Sequence, residues 1–364
     1  MSVSKKSERT KASISEVTRN LRSFHFRLFK TSSLSFFFLA ILMWGALFSG
    51  NASDQVIFPG RAHPRVSRDI IRAYNHALER EYEKAREICL KLGRDLPDNP
   101  AAPTGEMVLY QVMMLENDDF RYDRRLRDAA VQAEAAARGY ENKAEKTDWY
   151  YTLLGASYGI KGIYHLRRQE YLEGAYLGIT ALRYLKTAKE MNPKNYEARM
   201  GIGVYLYYRS AYSRYLPLPW LDRRDEGIAE VKLAGEKRDY LNEVSRIALY
   251  YIYVNEKDYQ KALSYMDGLI EERPGFPVFY QLAGRALMEK GDYKKAYSYY
   301  DRMRRIDPEL YLPYFKLGEC SLKLGRKKEA KRRLEKFFRV LGDRESVHRK
   351  PARKYLQELE EKDY

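Results

Sequence analysis

The sequence predicts an all-α protein: an α-solenoid of about six helical hairpins with elongated middle members, a C-terminal capping helix, and one hydrophobic segment ahead of the array. The first observation behind this is an interval. The decapeptide GDYKKAYSYY at 291–300 stands 34 residues after KDYQKALSYM (257–266) and 34 before GRKKEAKRRL (325–334). Other positions return with it: Tyr280 and Tyr314, Gly284 and Gly318, Gly291 and Gly325, Pro274 and Pro308, and Ala262, Ala296 and Ala330. The second is helical spacing inside the unit, where Tyr280, Ala283, Gly284 and Leu287 share one face and Ala296, Tyr300 and Met303 another. The third is a single uncharged run, LSFFFLAILMWGALFS at 34–49, set behind basic sequence.

The totals fit such a chain. Its 364 residues suffice for two average domains or one long repeat array, and 45% apolar content excludes wholesale disorder. Tyrosine is abundant, at 33 residues against 14 Phe and 3 Trp. A tyrosine buries a ring while keeping a polar tip at the edge, which suits thin layers of helices. Residues 1–52 hold eight Lys/Arg and two Asp/Glu, so they supply +6 of the net +16. The basic remainder favours anionic neighbours without selecting among them. Cys89 and Cys320 are far apart in an elongated array, so no disulfide is expected between them.

From the amino end, residues 1–33 form a basic region, cytoplasmic or disordered, and 34–50 the hydrophobic segment. Lys5, Lys6, Arg9, Lys11, Arg19, Arg22, Arg27 and Lys30 precede the run, which holds the amino end in the cytoplasm and sends the carboxyl side across. At 16 residues the run is short for a spanning helix and long for the apolar part of a cleaved signal. Two readings stay open: a retained single-pass anchor, or an exported chain cut after Ala52 in the small-residue stretch GNA. Either puts the rest of the chain outside the cytoplasm, in the periplasm if the source is bacterial. A linker at 51–65 leads to the array at 66–345 and a cap at 346–364.

Each unit reads as two helices and a tight turn. Gly291 ends the first helix, since glycine tolerates the left-handed conformation of a helix stop, and Pro308 follows the second and cannot continue it. Gly284 and Ala296 lie where the helices cross, with Tyr280 and Tyr300 filling the wider ends. In the cap, Pro351 suits a first helical turn, and Tyr355, Leu356 and Leu359 form one face.

At these residues the sequence resembles the tetratricopeptide repeat family. The pattern is carried by Tyr280, Gly284, Ala296, Tyr300 and Pro308, and by Leu317-Gly318, Gly325 and Ala330. It extends through Leu249, Tyr253, Ala262 and Pro274 in 243–276 and Tyr82, Ala85 and Pro97 in 66–99. YTLLGASY at 151–158 supplies Leu154-Gly155 and Tyr158, with Ala181, Leu185, Ala188 and Pro193 in the matching second helix. Gly284 to Ala296 takes 12 residues, whereas Gly155 to Ala181 takes 26 and Gly203 to Gly227 takes 24. The middle units therefore gain about two turns on both helices, and adjacent overhangs are expected to bury each other's apolar faces. TGEMVLYQVMMLENDDF near 104–120 reads ambiguously.

The resemblance implies a concave surface lined by the first helix of each hairpin. Carried onto this chain, its ligand positions are Tyr207 and Tyr208; Ile247, Tyr251 and Asn255; Gln281, Arg285 and Glu289; and Phe315, Glu319 and Lys323. Tyrosines beside a few charges suit a protein or peptide partner. The lysine–asparagine–arginine clamp of chaperone-tail binders is not reproduced: Ile247 and Tyr251 stand in its first places, and only Lys316 is basic where required.

No catalytic constellation emerges. His25, His63, His76, His165 and His348 lack partners at zinc-ligand spacing, and no GxSxG, Walker, HExxH or dinucleotide motif is present. GIGVY (201–205) reads as close helix packing, Asp222 as a helix cap, and His165 as a satisfied surface or packing residue. GRKKEAKRRLEKFFR (325–339) carries eight Lys/Arg, yet Ala330, Leu334, Phe337, Phe338 and Leu341 mark a buried stripe beneath them. YSRYLPLPWLD (212–222) gathers apolar groups at a tip, for packing or for contact with a membrane or partner. The expectation is a non-catalytic scaffold or adaptor, tethered through 34–50, binding an unidentified protein or peptide, with no cofactor, metal or nucleic acid. The alternative is a secreted or periplasmic binding module for a polyanion or cell-wall polymer.

Overall fold

The structure, a computed structural model, describes residues 64–143, 146–213, 222–237 and 239–361. The hydrophobic segment 34–50 lies outside the described residues, as does nearly all of YSRYLPLPWLD. Among the described residues there are fifteen α-helices and no strand. Seven hairpins follow one another: α1 (Pro64–Leu78) with α2 (Tyr82–Asp95), α3 (Ala101–Leu115) with α4 (Asp123–Lys143), α5 (Asp148–Arg167) with α6 (Tyr171–Met191), α7 (Tyr196–Ser213) with α8 (Arg224–Lys237), α9 (Asp239–Asn255) with α10 (Tyr259–Glu272), α11 (Pro277–Lys290) with α12 (Tyr293–Ile306), and α13 (Leu312–Lys323) with α14 (Lys327–Leu341). The array is capped by α15 (Arg349–Glu360). The first helix starts at Pro64, inside the stretch expected as linker. The hairpin beyond the expected six is settled by α3–α4. Its first helix is buried at every position except Glu106 and Met113, so it has no polar face to betray a helical period.

One turn recurs in five hairpins. Arg80, Gln169, Lys257, Gly291 and Gly325 occupy the same place with φ of 64°, 66°, 61°, 87° and 72°. The next residue donates its N–H back to the carbonyl five before it: Asp258 to Tyr253 at 2.9 Å, Asp292 to Leu287 at 2.9 Å, Arg326 to Ser321 at 2.8 Å. This satisfies carbonyls that the first helix leaves open. The following helix starts at once, and Asp258 and Asp292 cap it by accepting the N–H of Lys261 (3.2 Å) and Lys295 (3.1 Å). The returning decapeptide thus encodes a left-handed stop and an N-cap in two consecutive residues.

Packing explains the other repeated positions. A Cβ on Gly284 would fall 2.8 Å from the Tyr300 ring, and one on Gly318 2.8 Å from Leu334. Tyr300 therefore lies directly over Gly284 instead of filling a wider end. The Tyr280 and Tyr314 hydroxyls donate to the carbonyls of Pro274 (3.1 Å) and Pro308 (3.2 Å), which ties each unit to its preceding turn. Ala330, Leu334, Phe337 and Leu341 of α14 are fully buried, with Phe338 half-buried beside them. In α15, Ala352 and Leu359 are buried while Tyr355 and Leu356 are partly covered. Cys89 and Cys320 are buried and unpaired.

The elongated third hairpin is present: α5 has 20 residues and α6 21, against 14 and 14 in α11 and α12. Gly155 still packs under Leu185, so the added turns lie toward the tip, where Gly162 and Gly174 make a second close crossing. Among the described residues of the fourth hairpin, α7 has 18 residues and α8 14. Their crossing brings the two backbones together, because a Cβ on Gly227 would stand 2.5 Å from the Gly203 carbonyl. Among the described residues the overhangs do not bury each other fully: Leu172 and Tyr176 of α6 are 91% and 64% exposed.

The array also curls onto itself. Arg80, in the first turn, donates to Glu116 (2.6 Å) and to Asp307 (2.5 Å), the latter 227 residues away. The Tyr74 hydroxyl donates to Glu243 at 3.0 Å, and Arg273 reaches Asn75 at 3.3 Å.

Candidate functional site

The inner face of the late repeats is occupied by the chain's own α3–α4 turn. Asn117 Oδ1 accepts the backbone N–H of Tyr311 (2.8 Å) and of Leu312 (3.1 Å), at the start of α13. Asp119 Oδ2 accepts the Tyr311 hydroxyl at 2.7 Å and pairs with Arg121 at 2.9 Å. Between them Asp118 takes a left-handed φ of 49° and points inward. Its carboxylate lies 3.5 Å from Arg167 Nη2 and 3.6 Å from His348 Nε2, the second longer than a hydrogen bond. Burial alone would raise this carboxyl, but His348, Arg167, Lys316 and Arg285 hold it below its usual 3.8. Burial also pushes the His348 imidazole down to about 4, against the pull of Asp118. The ring stacks on Phe315 at 4.7 Å. This centre contains no nucleophile activated by a base; its groups fix one another.

The expected ligand positions fall into three rows, because each returns every 34 residues on α9, α11 and α13. Ile247, Gln281 and Phe315 form the deepest row and are buried in the protein's own core. In the second, Tyr251 is buried while Arg285 and Glu319 are partly covered, paired with Glu289 (3.0 Å) and Lys316 (2.7 Å). The third row is accessible: Asn255 and Glu289 are half-buried and Lys323 exposed. Tyr207 and Tyr208 on α7 are buried, and the Tyr207 hydroxyl donates to Glu256 at 2.7 Å and receives the Asn255 amide at 2.8 Å. Burial thus divides the site along the helix axes. Asn117, Asp118 and Asp119, which occupy the inner face, were not legible beforehand; their only sequence signal is the polar run ENDD.

Elsewhere the residues singled out are structural. His165 pairs with Glu170 at 2.6 Å across the α5–α6 turn, as His76 pairs with Glu81 at 2.6 Å across the first. His76, Glu79 and Glu81 also lie within 4.8 Å of one another, at a partly exposed turn. Asp222 accepts the N–H of Arg224 at 3.1 Å ahead of α8. Gly201 and Gly203 of GIGVY lie in helix packing, against Leu185 and Gly227. Among the described residues no helix is long and apolar enough to cross a membrane.

The family model of the tetratricopeptide repeat matches residues 253–309 and again 287–348. Residues 253–348 thus match tetratricopeptide repeats, a kind of repeat whose fold generally serves as a non-catalytic scaffold for protein–protein interaction. A comparison with the curated proteins finds no match. Among solved structures, the chain is similar to a tetratricopeptide repeat protein from Parabacteroides merdae, with 15% identity and a TM-score of 0.39 over 82% of this chain and 100% of that one. It is similar to the type IV pilus biogenesis factor PilW, with 15% identity and a TM-score of 0.46 over 68% and 97%. The C-terminal part of a repeat protein from Cytophaga hutchinsonii gives 16% identity and a TM-score of 0.36 over 79% and 98%.

Proposed function

We propose that this protein is a non-catalytic scaffold, tethered to a membrane through residues 34–50 with its repeats outside the cytoplasm, and that it binds a partner protein along the outer rows of its first helices. The observation that carries this is the accessible row Asn255, Glu289 and Lys323, continued inward by Arg285 and Glu319. Its members are evenly spaced on rigid, adjacent helices and are not consumed by the core. A partner meets alternating charge there and needs no change in the packed centre.

The test is site-specific photocrosslinking in cells from Glu289 and Lys323, with exposed Arg302 on α12 as the control. The reading requires one protein captured from both positions but not from Arg302, and lost when Lys323→Glu is introduced and capture is attempted from Glu289. Background capture at both positions refutes it. Removal of residues 1–52 is expected to release the protein from the membrane fraction.

A second reading, a module for an anionic polymer, is favoured by one feature. The cleft between α1 and α2, about 530 Å³, is lined by Arg68, Arg72, His76, Lys84 and Lys91. Asp69 and Glu87 offset these only in part. Salt-dependent binding to a soluble polyanion, lost in Arg68→Glu/Lys91→Glu, would support it.

A further inference from the structure

The overhanging tips of α5, α6 and α7 leave a groove of about 480 Å³, within the roughly 300–1,000 Å³ of small-molecule sites. Its walls are Ile163, Leu166, Leu182, Leu185 and Val204, and Tyr205 and Arg209 stand at its edge. We propose that this groove binds one long-chain fatty acid, with the hydrocarbon against the apolar walls and the carboxylate at Arg209.

Three features carry the assignment. The first is the floor. Gly162 and Gly174 are explained by helix crossing, since a Cβ on Gly174 would come 2.4 Å from Leu166. Gly178 is not so explained: a Cβ there meets only the Tyr205 ring, at 3.7 Å, an ordinary contact. Its missing side chain leaves room in the groove that packing does not demand. The second is the wall chemistry. A peptide laid in the groove would bring backbone N–H and C=O groups against side chains that cannot pair with them, whereas a hydrocarbon chain has none to satisfy. The third is charge and access. Arg209 is exposed and complements a carboxylate, and Ile179, on the groove wall, is 58% exposed. With Leu172 and Tyr176 it forms a stripe along α6 that continues the apolar surface outward.

The experiment is titration of the purified full-length protein with sodium oleate below its micellar concentration, beside oleyl alcohol and vesicles of dioleoylphosphatidylglycerol. Wild type is expected to bind one oleate. Gly178→Leu, which fills the groove, and Ile179→Glu, at an exposed position, are each expected to weaken it at least tenfold with unchanged circular dichroism. Arg209→Glu is expected to weaken oleate several-fold and leave the alcohol unaffected. In saturated acids from eight to twelve carbons, affinity is expected to rise about fourfold per methylene. Equal oleate affinity in wild type and Ile179→Glu overturns the proposal, because it places any bound chain elsewhere. Binding to the phosphatidylglycerol vesicles alone also overturns it. So does a wild-type dimer that Ile179→Glu dissociates and that takes up no oleate, which would give the groove to a second copy.

Discussion

The side-chain oxygen of Asn117 accepts the backbone N–H of Tyr311 at 2.8 Å, joining residues 194 positions apart. Through that bond a turn early in the chain caps a helix near its end. The inner face of the last repeats is therefore a buried centre filled by the chain's own side chains, and the accessible part of the first helices is displaced toward their carboxyl ends.

Asn117→Ala should leave the N–H groups of Tyr311 and Leu312 buried without that acceptor. A cost of about 1–3 kcal/mol for each unsatisfied group is expected at most. Urea unfolding followed by circular dichroism measures it. A loss below about 0.5 kcal/mol would mean that the turn does not hold the late repeats.

The glycines differ in what they tolerate. Gly227→Ala drives a methyl toward the Gly203 carbonyl and should cost about 1–3 kcal/mol or more. Gly178→Ala meets only ordinary contact and should leave the melting temperature nearly unchanged.

At the recurring turn, Gly291→Ala forces a side chain into left-handed backbone and should cost about 1 kcal/mol. Lys257 occupies the equivalent place with φ of 61°, so Lys257→Gly should shift stability the other way. Paired denaturation curves of the two variants decide this.

His348 gives a pH signature. Its pKa falls from 6.5 to about 4 in the folded protein, mainly through burial, so the unfolded chain takes up the proton first. Its contribution is complete above pH 6.5 and is lost as pH falls toward 4, on the order of 3 kcal/mol. Asp118, held below 3.8, loses its own contribution on further acidification. Urea midpoints between pH 7 and 4 should fall for wild type and flatten over that window in His348→Gln.

Burial pushes the Cys320 thiol up to about 12, and Cys89 is fully buried, so neither should react with a thiol reagent in the native state. Both should react after denaturation. Rapid labelling of Cys320 without unfolding would show that α13 and α14 open locally.

Periodicity alone determined the regular late hairpins, their 34-residue pitch, the buried stripe of α14 and the stretched third unit, because each depends on contacts between residues close in the chain. The turn positions were legible where glycine marked them and hidden at Arg80, Gln169 and Lys257, which adopt the same backbone without its sequence mark. Helix α3 was hidden because burial on nearly all sides erases the alternation that reveals a helix. The ligand positions could be assigned to helices by their interval, but not to core or surface. That division depends on where Asn117, Asp118 and Asp119 come to rest, some two hundred residues from the groups they meet. Only the curl of the whole array brings them there, and local spacing carries no information about a contact formed by curvature summed over several hairpins.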